Sequence, residues 1–352
     1  MKKRRLFAVV KKEFCQIKRD KSLFPIVILA PIIQLFLFGY AVSLDIKEVP
    51  IVLLKEGNDR SSEEAILSLI SSGYFIIKEN VSSIKEFEKS ILCGRTKAGV
   101  ILRKGEINIV IDGSDSNTAA LIEGYFEKVF GKKELFSLGL IVPQGKVLFN
   151  PNLKTVNFMV PGVTALVLMI ITMVLSSGIL VKEKERGTIE HIFVTPVSSG
   201  EVILGKLLPF MIIGFLDLFL VVSVGVFIFK VPFKGSVSFL IFATFPFILT
   251  MLSIGILVSI TSKTQQQAIM TTFMIMLPNL ILSGFMFPID NMPLLMQKLT
   301  YLIPVRYYLT ILRSIFLKGA GLRILLKEVI ILFLFGFSFL FLSIRTFKKK
   351  LS

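Results

Sequence analysis

Residues 158–191 read FMVPGVTALVLMIITMVLSSGILVKEKERGTIEH, and the junction inside this stretch decides the fold. From Phe158 to Val181 no residue is charged. A run of that length matches the roughly 20 residues that a helix needs to cross the hydrocarbon core of a bilayer. From Lys182 the chain turns densely charged: Lys182-Glu183-Lys184-Glu185-Arg186-Gly187-Thr188-Ile189-Glu190. The apolar part reads as a membrane span and the charged part as its exit into water.

Similar apolar runs occupy 23–44, 208–229, 237–260, 267–289 and 325–344, which with this one makes six. Hydrophobic residues make up 53% of the 352, and they stand in unbroken blocks instead of the periodic scatter of a soluble domain. Trp is absent, so any aromatic belt rests on Tyr and Phe.

The formal net charge of +17 admits two partners, nucleic acid or an anionic membrane surface, and its location decides between them. Acidic and basic residues balance between Asp45 and Lys154, and the excess lies at the chain ends and beside the apolar runs. That is the positive-inside pattern of a membrane protein, not a nucleic-acid patch. Residues 1–22 alternate basic side chains with Leu6, Phe7, Val10, Phe14 and Ile17, which predicts an amphipathic helix on the cytoplasmic membrane surface. The run 23–44 is too long for a signal-peptide core and lacks a small-residue cleavage site, so it reads as an uncleaved first span. The tail carries Arg345, Lys348, Lys349 and Lys350. An even number of spans puts both basic ends on one side, the cytoplasm.

Residues 45–155 change character. Short β-rich runs (Val49–Leu54, Tyr74–Ile77, Ala98–Leu102, Ile107–Ile111) alternate with charged helical segments (Ser61–Ser71, Ser82–Leu92, Asn117–Phe130). The pattern predicts a small α/β domain, placed outside the cytoplasm by the span count. The expected architecture is an α-helical polytopic membrane protein. It has six transmembrane helices, an N-terminal amphipathic interfacial helix and an α/β extracytoplasmic domain inserted between spans one and two. Residues 156–352 then hold spans two to six, with a cytoplasmic segment at 182–206 and an outer segment at 290–324. Pro161-Gly162 is expected to open span two. The outer segment has apolar pieces too short to span, broken by prolines, and reads as re-entrant or interfacial helices. Its Lys298, Arg306, Arg313, Lys318 and Arg323, with the adjoining Lys327, run against the charge rule.

Few residues offer chemistry. Cys15 and Cys93 fall on opposite sides of the membrane in this topology, and one His with two separated Cys makes no metal cluster. Gly200-Glu-Val-Ile-Leu-Gly205-Lys206 imitates a phosphate-binding loop, but Leu207 stands where Mg²⁺ needs Ser or Thr and no strand precedes it. Asp112 and Asp115 lack the spacing of an EF-hand and read as a structural turn, and Asn80-Val81-Ser82 matches the short sequon pattern. Asp217 is the one acidic residue deep in a predicted span. A carboxylate there costs on the order of 3 kcal/mol, so it must face a partner helix or a wet cavity. Substrate recognition, a proton-coupled step and a hydrogen-bonded carboxyl at a dimer seam all fit it. Gln34 in span one suits an interhelical hydrogen bond. Tyr307, with Tyr301, Arg306 and Tyr308, fits either the exit of a transport path or headgroup anchoring.

The charged exit also carries a family resemblance. Glu183–Glu190, followed by Thr195-Pro196-Val197 and Leu204-Gly205-Lys206, resembles the signature of the ABC-2 type permeases, the membrane subunits of one branch of ATP-binding-cassette exporters. Further pieces match in order: Arg19-Asp20, Pro31, Gln34, Gly39-Tyr40-Ala41, Asp112–Ala119, Pro161-Gly162 and Pro304-Val305-Arg306-Tyr307-Tyr308, with Leu312-Arg313 and Lys318-Gly319. The large domain between spans one and two resembles the multidrug-export subgroup; permeases exporting polysaccharide or lipid-linked glycan lack it. The resemblance implies that two permeases pair and that each engages a separate ATPase subunit, which binds ATP and Mg²⁺. This chain would hold no cofactor of its own. Glu183, Glu185, Arg186, Gly187, Thr188 and Glu190 would then lie at the ATPase contact and couple nucleotide-driven motion to the spans, with the N-terminal helix beside them. Gln34, Asp217 and Tyr307 would flank a substrate path for a drug-like or lipid-like compound. A periplasmic adaptor becomes a possible further partner, membrane lipid the surrounding one, and the membrane of a prokaryotic cell the location. Two other classes compete. A receptor using its outer domain would need a cytoplasmic signalling domain, and none is present in this sequence. A secondary transporter built on Asp217 would show an internal repeat between halves.

Overall fold

The computed structural model describes residues 3–20, 25–41, 48–55, 60–103, 106–112, 116–130, 155–188, 190, 197–287, 289 and 292–351. The chain divides into two compact units, Met1–Val42 with Phe149–Ser352, and Ser43–Leu148.

The first unit begins with helix α1 (Lys3–Arg19). Its inward face is Leu6, Val9, Glu13 and Ile17, in helical register. Leu6 and Ile17 belong to the apolar set read from the sequence, whereas Phe7 and Phe14 of that set point away from the core at 69% and 39% exposure. A π-helical turn (Pro25–Leu29) leads into α2 (Ala30–Ala41), of which Leu35 reaches the core.

The second unit alternates strand and helix: β1 (Val49–Lys55), α3 (Arg60–Ser71), β2 (Phe75–Val81), α4 (Ile84–Leu92), β3 (Ala98–Arg103), β4 (Glu106–Ile111) and α5 (Ser116–Phe130). The sheet order is β2-β1-β3-β4, with β1 parallel to both neighbours and β4 antiparallel to β3. Central β1 is buried on both faces. Val49, Ile51 and Leu53 pack with residues of α3 and α5, whereas Val52 and Leu54 pack with Phe87 of α4. That two-sided burial explains its unbroken Val/Ile/Leu run. Part of the turn expected around Asp112–Thr118, residues 113–115, lies outside the described residues.

The first unit resumes with α6 (Thr155–Ser177) and α7 (Ile179–Glu185), separated at Gly178. The helix opens at Thr155, ahead of Pro161, which corrects the expectation that Pro161 would start it. Pro161 therefore lies inside the helix, where it removes the backbone bond to the Asn157 carbonyl. Next come α8 (Ser199–Phe227), α9 (Val237–Thr261), α10 (Gln265–Leu282), the short α11 (Leu294–Leu299), α12 (Pro304–Arg313) and α13 (Leu326–Leu351). The starts of α8, α9 and α10 are capped by side chains: Ser198 and Glu201 form a reciprocal capping box on α8, and Ser236 and Thr264 cap α9 and α10. Helix α6 is the centre of this unit, with most of Val160–Met173 buried. Tyr308 of α12 stacks on Phe247 of α9 at 3.9 Å and shares a 2.8 Å hydrogen bond with Thr244.

Among the described residues, four helices are long and apolar enough to cross a membrane: Val156–Glu185, Ser199–Phe227, Val237–Thr261 and Leu326–Lys350. Pro25–Leu37 is a shorter apolar helix, and the expected span 23–44 extends into residues outside the described set. The expected run 267–289 is helical only to Leu282. The segment 290–324 consists of short helices and turns, as its broken apolar pieces suggest.

Candidate functional site

The charged residues after Val181 do not simply enter solvent. Gly178 interrupts the long helix, and the amide N–H groups of Leu180 and Val181 donate to Ser259 Oγ of α9 at 2.9 and 3.0 Å. This fixes the direction in which α7 leaves. Four successive side chains then reach four different places. Lys182 Nζ donates to Asp20, just past α1, at 3.0 Å. Glu183 accepts from Lys12 Nζ at 2.8 Å, and Lys206 Nζ lies 2.9 Å from its second oxygen as an ion pair outside hydrogen-bond alignment. Lys184 Nζ donates to the carbonyl of Ser262, which ends α9, at 3.1 Å. Glu185 accepts from the backbone and side-chain nitrogens of Gln265, which opens α10, both at 2.8 Å.

Around Glu183 the charges form a buried, balanced cluster. Lys206 Nζ donates to Glu13 Oε1 at 2.8 Å, and Lys12 lies 3.8 Å from the same oxygen. The Lys206 side chain is 1% exposed, those of Glu13 and Glu183 are under a tenth exposed, and Lys12 is half-exposed. Burial pushes the Glu183 carboxyl up, but Lys206 and Lys12 outweigh it and hold the group below its ordinary 4.5. Lys12 sits above its ordinary 10.5 because Glu183 and Glu13 overcome its own desolvation.

Helix α1 approaches α8 at Gly205, where an added Cβ would stand 2.6 Å from Val9 Cγ1. The contact needs glycine. The stretch that imitates a phosphate loop is therefore interior helix: Gly200–Lys206 lies in the first turns of α8, Gly205 admits α1, and the Lys206 amine is occupied by two carboxylates.

Beyond Glu185 the helix closes on Gly187 in the left-handed conformation, φ 70°, with Thr188 N–H donating to the Glu183 carbonyl at 3.0 Å. Arg186, Gly187, Thr188 and Glu190 are all exposed. The six residues of the expected coupling set thus divide, Glu183 and Glu185 binding neighbouring helices and the other four facing outward. Ile189 and His191–Pro196, including the Thr195-Pro196 part of the motif, lie outside the described residues. Sequence reading missed Glu13 and Lys206. The signal was present: Glu13 is the sole acidic residue in 1–19, and it falls in register with Leu6, Val9 and Ile17.

The expected path residues sit apart from this cluster. Asp217 of α8 is 1% exposed and neither carboxylate oxygen has a hydrogen-bond partner, although it lies within electrostatic reach of Tyr308. Gln34 Oε1 is also buried without a partner. Tyr307 Oη donates to the Tyr301 carbonyl at 2.9 Å. Among the described residues no hydrogen bond or ion pair joins these three.

The sequence as a whole matches the family described as "ABC-2 family transporter protein" over residues 21–345. The chain belongs to the ABC-2 transporter family. Members of this family are membrane transport subunits that work with an ATP-binding subunit as part of an ABC transporter. The chain is 31% identical to the "Probable multidrug ABC transporter permease YbhS" of Escherichia coli (strain K12), covering 99% of this chain and 97% of that one. It is 28% identical to YbhR of the same strain, described in the same words, over 91% and 92% of the two chains. It is 21% identical to the linearmycin resistance permease protein LnrN of Bacillus subtilis (strain 168), over 90% and 92%.

Proposed function

We propose that this ABC-2 permease exports a hydrophobic or amphipathic compound, driven by ATP hydrolysis on a separate ATPase subunit that binds the nucleotide and Mg²⁺. In this reading two permeases pair in the inner or plasma membrane of a prokaryote. Six spans place both termini in the cytoplasm and the strand-bearing unit outside. The observation that carries the reading is the charged exit of α7. It has an inward half tied to α1, α8, α9 and α10 and an outward half of exposed Arg186, Thr188 and Glu190. Such an element suits a site that takes force from a soluble partner through charge-assisted contacts and hands it to membrane helices. The relatives named for multidrug transport and for linearmycin resistance support a drug-like cargo.

The test is co-expression with the candidate ATPase, co-purification, and reconstitution in liposomes with ethidium and rhodamine 6G as probes. ATP-dependent dye movement and dye-stimulated hydrolysis are expected. Arg186→Glu with Glu190→Lys is expected to reduce co-purification. Wild-type protein that holds the ATPase but neither moves nor responds to any of a broad panel of lipophilic compounds would overturn the cargo assignment. Unchanged co-purification in the double variant would overturn the contact assignment.

A further inference from the structure

The motif Lys182–Glu185 ties together helix ends that are far apart in sequence, and nothing in a docking role requires that. Asp20 and Lys12 belong to or adjoin α1, Lys206 to the start of α8, Ser262 to the end of α9 and Gln265 to the start of α10. A loose solvated exit would leave its charges to water. Here Glu183 is buried between two lysines, and Glu185 uses both oxygens on one glutamine at the entrance of a helix. From the other side, Lys350 near the end of α13 donates to the Ile260 carbonyl at 2.5 Å, so α13 is fastened to the same end of α9.

We propose that Lys182–Glu185 is a clamp that makes α1, the exit of α6–α7, the start of α8 and the α9–α10 turn one mechanical body. Glu183 and Glu185 are its positioning residues. The clamp rests on the permease reading given above and deepens it. An ATPase pushing on α1 or on the exposed residues after Glu185 would move four membrane helices together, not one. Glu183 and Glu185 then act through their neighbours, and contact with the partner falls to Arg186, Thr188 and Glu190.

The test uses the full chain in nanodiscs, with and without its ATPase. Spin labels are placed on Cys15, exposed on α1, and on Lys263→Cys, exposed in the α9–α10 turn, with Cys93→Ser removing the other exposed thiol. Pulsed dipolar spectroscopy reads the distance between them. The clamp predicts one narrow distribution that keeps its width and centre when the complex is trapped with ATP and vanadate. Glu185→Ala, an exposed site that does not threaten the fold, is expected to broaden it, and Glu183→Gln to broaden it further. Both variants should still co-purify with the ATPase but hydrolyse ATP without response to dye. The clamp is overturned if the wild-type distance shifts by about 5 Å, one helical turn, on trapping. It is equally overturned if both variants keep the narrow distribution. Because the distance is also read on the permease alone, a failure of the ATPase to bind would strike the functional reading and leave the clamp to be judged on its own data.

Discussion

Replacing Lys206 with Met should be the most damaging single change at the charged end of the first unit. The cluster holds two anions and two cations. Lys206 Nζ lies 2.8 Å from Glu13 and 2.9 Å from Glu183, whereas Lys12 reaches Glu183 at 2.8 Å and Glu13 only at 3.8 Å. Without Lys206, two buried carboxylates face one half-exposed lysine. Removing one partner of a buried pair costs about 3–5 kcal/mol, because the charge left behind has lost its water and its counter-ion. At about 2–4 °C per kcal/mol this is a fall of about 10 °C in the apparent Tm of the purified permease. Lys12→Met should cost far less, about 1 kcal/mol or below, since its side chain is half in water and Glu183 keeps Lys206. The deciding variant is Glu13→Gln combined with Lys206→Met. It removes one charge of each sign and leaves the 2.8 Å Lys12–Glu183 pair, so it should recover most of the loss. Heating detergent-solubilised protein and measuring the monodisperse fraction by gel filtration reads all four proteins in one assay. A Lys206→Met variant within about 1 kcal/mol of wild type, or a double variant no better than the single, would refute the balanced-cluster argument.

Three further outcomes are expected. Gly205→Leu should lift α1 from α8, at about 1–3 kcal/mol of overpacking, and speed tryptic removal of the basic N-terminal helix. Gly200→Leu, where an added Cβ meets nothing within 4 Å, should leave the cleavage rate alone. The Glu183 carboxyl is held below its ordinary value, so its contribution is present above pH 4.5 and fades as pH falls through the lowered value. Apparent Tm should therefore drop in wild type as pH is lowered below the ordinary 4.5, with a smaller drop in Glu183→Gln. A fragment covering Ser43–Leu148 has its own two-sided core and should fold alone, giving a mixed helix–strand circular dichroism spectrum and a cooperative urea transition; a transition without a sigmoid would count against it.

The parts legible in sequence were those governed by local pattern. All four strands and the helices between them lie within a few residues of their expected bounds, because alternation and turn residues act over a handful of positions. The long apolar helices were legible for the same reason. What escaped was everything set by a distant partner. The apolar spacing of α1 marks an amphipathic helix but not the second face, Leu6, Val9, Glu13 and Ile17, that α8 accepts at the gap left by Gly205. Lys206 read as the last letter of a false phosphate loop because nothing near it in sequence predicts Glu13 and Glu183 as its partners. The division of the Glu183–Glu190 segment into inward and outward halves was equally invisible. It depends on where the ends of α1, α8, α9 and α10 come to rest.

The alternating charges of Lys182-Glu-Lys-Glu185 nonetheless have a physical logic that the structure makes explicit. Successive residues of a helix point about 100° apart, so four of them sweep most of the way round and meet four different surroundings. The sign at each position matches what it meets. Lys184 meets a carbonyl at the carboxyl end of α9, where the helix dipole is negative. Glu185 meets the amide that opens α10, where the dipole is positive. Lys182 meets Asp20, and Glu183 meets two lysines. Composition alone does not provide this. The same four residues in the order Glu-Lys-Glu-Lys would carry the same net charge and set a carboxylate against the last carbonyls of α9 and an ammonium against the first amides of α10. The order of the charges, more than their number, is what lets a short charged exit grip the ends of its neighbours and leave only the residues after Glu185 free to face a partner.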